Sequence, residues 1–375
     1  MIIILFSINP KQKRSELFNR EEEYEKLNNA INNARIILLD GLRRIGKTSL
    51  LKVFLNETEN LHILIDCRMF YKNNNIKPSE INKAIFESIK KEIKGHKLKK
   101  AFEKLSSISF GGFQLSLNTN KNAKTLNLAA TLNEINEILH NKKRKFIIAF
   151  DEAQYLRYYN KGGEEFLQLM AYAYDNLENI IFILTGSEVG LLHEFINIEN
   201  ISAPLYGRYI SEITLQRFKR DKSIEFLKKG FEVEKIKLTK NELETAVDEL
   251  DGIVGYLSMF GFILSKEKNS DFYSALNKTK EMAGGLVLKE INSLINLSIN
   301  YGYVLKAISF GMRRYSKIKK FIDLNYGGIT DTTLSKILSS LVKQNFIQIE
   351  YKKTLKEYSI PDPIIQKTSE NLELE

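Results

Sequence analysis

The chain has 375 residues, enough for two or three domains at about 150 residues each. Its 56 basic and 46 acidic residues leave a net charge of +10, and 43% of residues are hydrophobic. That balance excludes a disordered chain and an integral membrane protein. One cysteine, Cys67, and four histidines (His62, His96, His140, His193) without ligand spacing exclude a disulfide framework and a Cys- or His-based metal centre. Such cysteine usage suits a reducing cytosol, so a cytoplasmic protein is expected.

The chain opens with an apolar run at residues 2–6. It is too short to span a bilayer and has no basic residues before it, so neither an anchor nor a signal peptide is expected. From Arg35 to about Thr214, apolar runs at 36–39, 63–65, 146–150 and 180–184 alternate with helical patterns, and 209–213 reads as a weaker fifth strand. Near-continuous apolar strands separated by helices predict an α/β fold, a parallel sheet covered on both faces. The stretch between Asp66 and Lys145 exceeds one crossover. It holds two or three helical patterns and an alternating segment, 108–117, that reads as a hairpin turned at Gly111-Gly112. An insertion at about 72–117 follows.

Residues 215–298 show helical periodicity alone. The tail gives two short helices, a turn at 325–328, a third helix from Thr330 or Asp331 to about Gln344, and a hairpin of 346–351 with 357–360. That succession predicts a winged helix-turn-helix. The expected domains are therefore a sheet domain over 1–214, a helical lid over 215–298 and a winged helix over 299–375.

Gly41-Leu42-Arg43-Arg44-Ile45-Gly46-Lys47-Thr48, followed by Ser49, fits G-x-x-x-x-G-K-[ST]. Two glycines let the backbone wrap a phosphate with its N–H groups pointing inward. Lys47 brings a positive charge to the outer phosphates, and the Thr48 hydroxyl is placed to ligate Mg²⁺. A chance match on a glycine turn is the alternative, and the strand before and helix after the motif argue against it.

The run 146–150 ends in Asp151-Glu152, two carboxylates at the carboxyl end of the sheet, where open α/β folds bind ligands. Asp151 is expected to hold Mg²⁺ and Glu152 to orient and deprotonate the attacking water; an acidic helix cap is the bland alternative. Ser187, with Thr185 in reserve, is placed to touch the γ-phosphate or the water, unless it caps the next helix. Arg208 reads either as an arginine finger reaching a neighbouring subunit or as one half of a surface ion pair.

These residues, with Phe18-Asn19-Arg20-Glu21-Glu22-Glu23, Asp151-Glu152-Ala153-Gln154, the run from Gly186 to Leu192, the run from Pro204 to Arg208 and Asp251-Gly252-Ile253-Val254-Gly255-Tyr256-Leu257, resemble the archaeal ATPase family, P-loop ATPases close to the AAA+ and STAND groups. The resemblance runs from about Phe6 to Pro363. It implies a nucleotide-binding domain, a helical lid and a terminal winged helix. It also implies that Phe18 and Arg20 lie near the adenine, favouring ATP over GTP. Two features depart from the related pattern: Val254 stands where a proline is usual, and no Arg or Lys lies between Asp251 and Lys266. Asp151-Glu152-Ala153-Gln154 is also similar to helicase motif II, but no second helicase core accompanies it.

From Asn300 to Tyr358, eleven basic residues face four acidic ones, 11 − 4 = +7. This concentration suits duplex DNA, with Thr332, Thr333, Ser335, Lys336 and Ser339 on the third helix; protein docking is the alternative use of a winged helix. The expectation is a Mg²⁺-dependent ATPase switch coupled to DNA, with a homo-oligomer if Arg208 acts in trans. A regulator or scaffold that holds ATP and hydrolyses it slowly or not at all is the rival. A small-molecule P-loop kinase is the third option, opposed by Asp151-Glu152 and the winged helix.

Overall fold

A computed structural model describes residues 5–95, 128–160, 162–267, 271–352 and 355–374. The hairpin expected at 108–117 lies outside them.

Five parallel strands form the central sheet: β1 (Ile36–Gly41), β2 (Leu61–Asp66), β3 (Phe146–Asp151), β4 (Ile180–Gly186) and β5 (Ser211–Leu215), in the order β2-β3-β4-β1-β5. The three inner strands are buried at every position, whereas the two edge strands alternate. Burial on both faces explains the continuous apolar runs of the centre, and half-burial explains the weak signal of β5. That strand begins at Ser211 rather than Tyr209, because its ladder with β1 starts at Ile37 opposite Ser211.

One face of the sheet is covered by α1 (Glu21–Asn33) and α2 (Lys47–Glu57), whose Leu27, Leu50 and Phe54 pack with Ile37 and Leu39. The other face carries α3 (Pro78–Gly95), α4 (Leu128–His140), α5 (Glu164–Asn176) and α6 (Val189–Ile196), through Ile85, Leu132, Phe166 and Leu192.

Four helices follow, α7 (Arg220–Glu234), α8 (Lys240–Leu250), α9 (Val254–Lys266) and α10 (Phe272–Ile295). The winged helix comprises α11 (Asn300–Ser309), α12 (Tyr315–Asn325), α13 (Asp331–Lys343) and the antiparallel pair β6 (Gln348–Lys352) and β7 (Leu355–Ser359). Thr330 caps α13 by accepting from Thr333 N at 3.2 Å, which fixes where that helix starts. A last helix, α14 (Pro363–Glu370), was not legible as a separate element. It packs on α10 and α11, and its capping Asp362 accepts from Tyr256 Oη at 2.9 Å.

All these helices share one apolar core, in which Phe231, Tyr256 and Phe260 join Leu305, Leu334 and Phe346. Leu5 and Phe6, from the opening run, belong to this core too. Phe6 is 2% exposed and sits 4.7 Å from the Phe231 ring. No helix among the described residues is long and apolar enough to cross a membrane.

Candidate functional site

The loop between β1 and α2 is built on two glycines at positive φ, Gly41 at +132° and Gly46 at +98°, backbone that L side chains rarely adopt. A Cβ on Gly41 would lie 2.5 Å from the carbonyl oxygen of Leu215, so the loop can pass the end of β5 only without a side chain there. Lys47 opens α2 and is 6% exposed. Its Nζ donates to the carbonyls of Gly41 and Leu42 at 2.8 and 2.6 Å. Burial lowers its pKa to about 8, although Glu152 and Asp151 pull it upward.

Asp151 closes β3, level with Asp66 of β2. Its Oδ2 accepts from Thr48 Oγ1 at 3.0 Å, which joins the loop to the neighbouring strand end. The fully buried Thr185 hydroxyl donates to Asp151 Oδ1 at 2.5 Å and accepts from Glu152 N at 3.1 Å. Burial raises the Asp151 carboxyl above its ordinary value against the hydrogen bond from Thr185.

Glu152 sits in the left-handed region at φ +55°, an unusual conformation for a glutamate. Its Oε2 accepts from Ser187 Oγ at 2.7 Å, Gln154 Nε2 at 2.7 Å and Ser187 N at 3.2 Å. Burial acts to raise this carboxyl, yet the Lys47 charge and the Gln154 and Ser187 hydrogen bonds outweigh it and hold it below its usual range. Neither bland alternative fits here. The Glu152 side chain makes no helix-capping bond, and α6 is entered through Glu188 without a side-chain cap.

A cavity of about 580 Å³ runs from this polar cluster to an apolar end formed by Phe18, Phe218, Phe226, Val254 and Met259. Arg43, Arg44, Ile45, Gly46, Lys47, Thr48, Ser49, Glu152 and Ser187 line it, while Gly41 and Leu42 take part through their carbonyls. Phe18 packs 5.7 and 5.4 Å from the rings of Phe218 and Phe226. Arg20 also lines the cavity, but its guanidinium is committed to Ile45 O, Gln216 O and Glu23 at 3.0, 2.8 and 2.9 Å. Its position makes it a brace for the loop. Ser49 Oγ accepts from Lys11 N at 3.1 Å, tying down the segment that walls the apolar end.

Arg208 lies apart from the cavity-lining residues. It forms a two-pronged pair with Asp175 of α5 at 3.1 and 2.5 Å, the surface ion-pair arrangement.

Several lining residues escaped the sequence reading. Arg68, paired with Asp66 at 2.7 Å, follows the end of β2, and its place at the carboxyl edge of the sheet was an available signal. Glu188 holds Arg43 at 2.6 Å, and burial raises its carboxyl. Glu290, on α10, holds Arg44 at 2.7 Å, and nothing local marks it. The start of α9 also touches the loop, Gly255 N donating to Arg44 O at 2.8 Å.

A family described as an ATPase domain predominantly from Archaea matches residues 17–260. The chain belongs to this archaeal ATPase family. Residues 300–360 match the C-terminal winged helix-turn-helix domain of MCM proteins. Among solved structures, a Walker-type ATPase of Pyrococcus abyssi is 39% identical, with 97% of this chain and 99% of that one aligned at a TM-score of 0.82. The ORC2 protein of Aeropyrum pernix, in its ADPNP–ADP complexes, aligns over 98% of this chain and 96% of its own at 15% identity and a TM-score of 0.62, a likeness of fold. No curated protein matches the chain.

Proposed function

We propose that this archaeal Walker-type ATPase binds ATP with Mg²⁺, hydrolyses it through Glu152, and couples the cycle to duplex DNA held by the winged helix. The observation that carries the reading is the convergence of Lys47, Thr48 and Glu152 in one cleft, with Asp151 directly behind Thr48 and in contact with it at 3.0 Å.

The donor set suits the ion. Thr48 and Asp151 offer hard oxygens, and no cluster of three or more His, Cys, Asp or Glu among the described residues competes as a closed metal cage. They would hold Mg²⁺, which when bound neutralises phosphate charge. The loop N–H groups and the start of α2 receive the phosphates, and Lys47 exchanges its own-loop carbonyls for phosphate oxygens. The aromatic end formed by Phe18, Phe218 and Phe226 takes the base. Glu152 accepts a proton from water as the water oxygen attacks the γ-phosphorus and ADP leaves. Ser187 and Thr185 divide the work, Ser187 beside Glu152 in the cavity and Thr185 behind both carboxylates. The ADP and ADPNP held by the ORC2 protein support a nucleotide in this fold.

On α13, Thr332, Ser335, Lys336 and Ser339 are exposed at i, i+3, i+4 and i+7, one continuous face. Arg313, Lys317, Lys320 and Lys356 of the same domain are also exposed, which suits phosphate contacts beside a groove-reading helix.

One observation favours slow turnover: three donors converge on Glu152 Oε2. A nucleotide-holding regulator is therefore the second reading. Titration with ATP, with and without Mg²⁺, followed by steady-state phosphate release, tests both. Tight binding with release stimulated by duplex supports the first reading, and tight binding without release under either condition supports the second. Absence of ATP binding contradicts both.

A further inference from the structure

The two ends of α13 have different surroundings. The exposed face just described ends at Ser339, while the last turn and the residues after it lie against the nucleotide site. Asn345, left-handed at φ +60°, donates Nδ2 to Ser187 O at 2.9 Å. Gln344 O accepts from Arg43 of the phosphate loop at 3.2 Å, and the Arg43 guanidinium lies 5.1 Å over the Phe346 ring. Lys343 pairs with Glu194 of α6 at 2.9 Å.

Ser187, held from behind by Asn345, is the residue that donates twice to Glu152 Oε2, at 2.7 and 3.2 Å. With Gln154 at 2.7 Å, that oxygen faces three donors, more than its two lone pairs can fully satisfy. Three donors on one oxygen fix the carboxylate's orientation and weaken it as a base, leaving proton acceptance to Oε1. The link from winged helix to carboxylate is short and continuous: Asn345 to the Ser187 carbonyl, then the Ser187 hydroxyl and N–H to Glu152.

We infer that Asn345 is a positioning residue through which the winged helix holds the Ser187 turn, and with it Glu152, in a hydrolysis-restraining arrangement. The inference rests on the ATPase reading above. A duplex seated on the exposed face of α13 pulls the same helix whose far end grips Ser187. Loosening that grip lets the Glu152 carboxylate turn and regain basicity, so DNA acts on kcat rather than on nucleotide affinity.

Two substitutions break the contact by unrelated routes. Asn345→Gly keeps the left-handed backbone and removes the amide. Gly190→Ala favours α6 as a helix, yet its Cβ would lie 2.6 Å from Lys343 Cα, so it wedges the end of α13 away. Steady-state ATP hydrolysis by the full chain with Mg²⁺ is measured for wild type, both variants, and each combined with Glu152→Gln. Both variants should raise basal kcat about fivefold, the rate equivalent of one hydrogen bond, with KM unchanged, and lose the gain when Glu152→Gln is added. A structural contact alone predicts no gain.

Glu152-dependent wild-type turnover, with kcat at or below wild type in either variant, overturns the inference and leaves the ATPase reading standing. A gain that survives Glu152→Gln also overturns it. No Glu152-dependent turnover in any of the proteins overturns the ATPase reading, and the inference falls with it.

Discussion

The charges of the cleft and those of the winged helix belong to different physical regimes. In the cleft, Lys47, Asp151, Glu188 and Arg20 are each less than 9% exposed and fixed to named partners at 2.5 to 3.3 Å. On the winged helix, Lys317, Lys320 and Lys336 stand in solvent. Buried, partnered charges are costly to disturb one at a time, whereas exposed cations act as a screened sum. Substitutions should therefore be severe and specific in the first region, mild and salt-dependent in the second.

The largest effect is expected at Lys47. Lys47→Ala removes the one cation buried within the phosphate loop and should weaken ATP binding about 100-fold, from roughly 3 kcal/mol, with little change in thermal stability. Isothermal titration checks it, and unchanged affinity would break the contrast at its strongest point. Next comes Arg20→Ala, which strands the buried carbonyl of Ile45 and frees the part-buried one of Gln216. It should cost about 3 kcal/mol of stability in chemical denaturation and loosen ATP binding only as a consequence of the distorted loop. A variant as stable as wild type would show that Arg20 contacts the nucleotide rather than bracing the loop.

A smaller effect is expected on the winged helix. Lys336→Ala should weaken duplex binding a few-fold at low salt and reduce the slope of log affinity against log salt by about one. A loss limited to one DNA sequence would instead indicate base reading.

The smallest effect concerns His193 of α6, whose Nε2 lies 3.5 Å from Asp40 Oδ2 and whose Nδ1 lies 3.8 Å from Glu212. The hydrogen bond to buried Asp40 raises the imidazole pKa, against burial, which lowers it. A raised folded value means the contribution is complete below the ordinary value of about 6.5 and is lost as pH rises through the raised one. The Tm difference between wild type and His193→Gln should therefore be greatest at mildly acidic pH and close as the solution becomes alkaline. A difference that widens with pH contradicts the assignment.

The sequence was most legible where one short segment contains both its structural cause and its chemistry. The phosphate loop carries its glycines, lysine and threonine within eight residues. β3 delivers Asp151 and Glu152 at its end because the strand is buried on both faces. Legibility fell where the site is assembled from distant elements. Glu290 reaches Arg44 from a helix 246 residues away, and Asn345 reaches Ser187 across 158. No periodicity encodes such a meeting. Edge strand β5 was displaced by two residues because a half-buried strand writes only half a pattern. The Arg208 ambiguity could not be resolved by residue type, since a finger and an ion pair use the same guanidinium; only the position of Asp175 distinguishes the arrangement seen. Phe6 shows the reverse lesson: with Leu5 it is the described end of an apolar run, and both residues pack in the helical core.

The central claim is that Glu152 is the base of an ATPase whose phosphate site is already assembled. The most direct test is single-turnover hydrolysis of Mg²⁺-bound ATP by wild type and Glu152→Gln at matched nucleotide occupancy. The account predicts equal ATP binding by both proteins, with cleavage by the wild type and at least about a hundredfold slower cleavage by the variant. Equal cleavage rates at equal occupancy would contradict it.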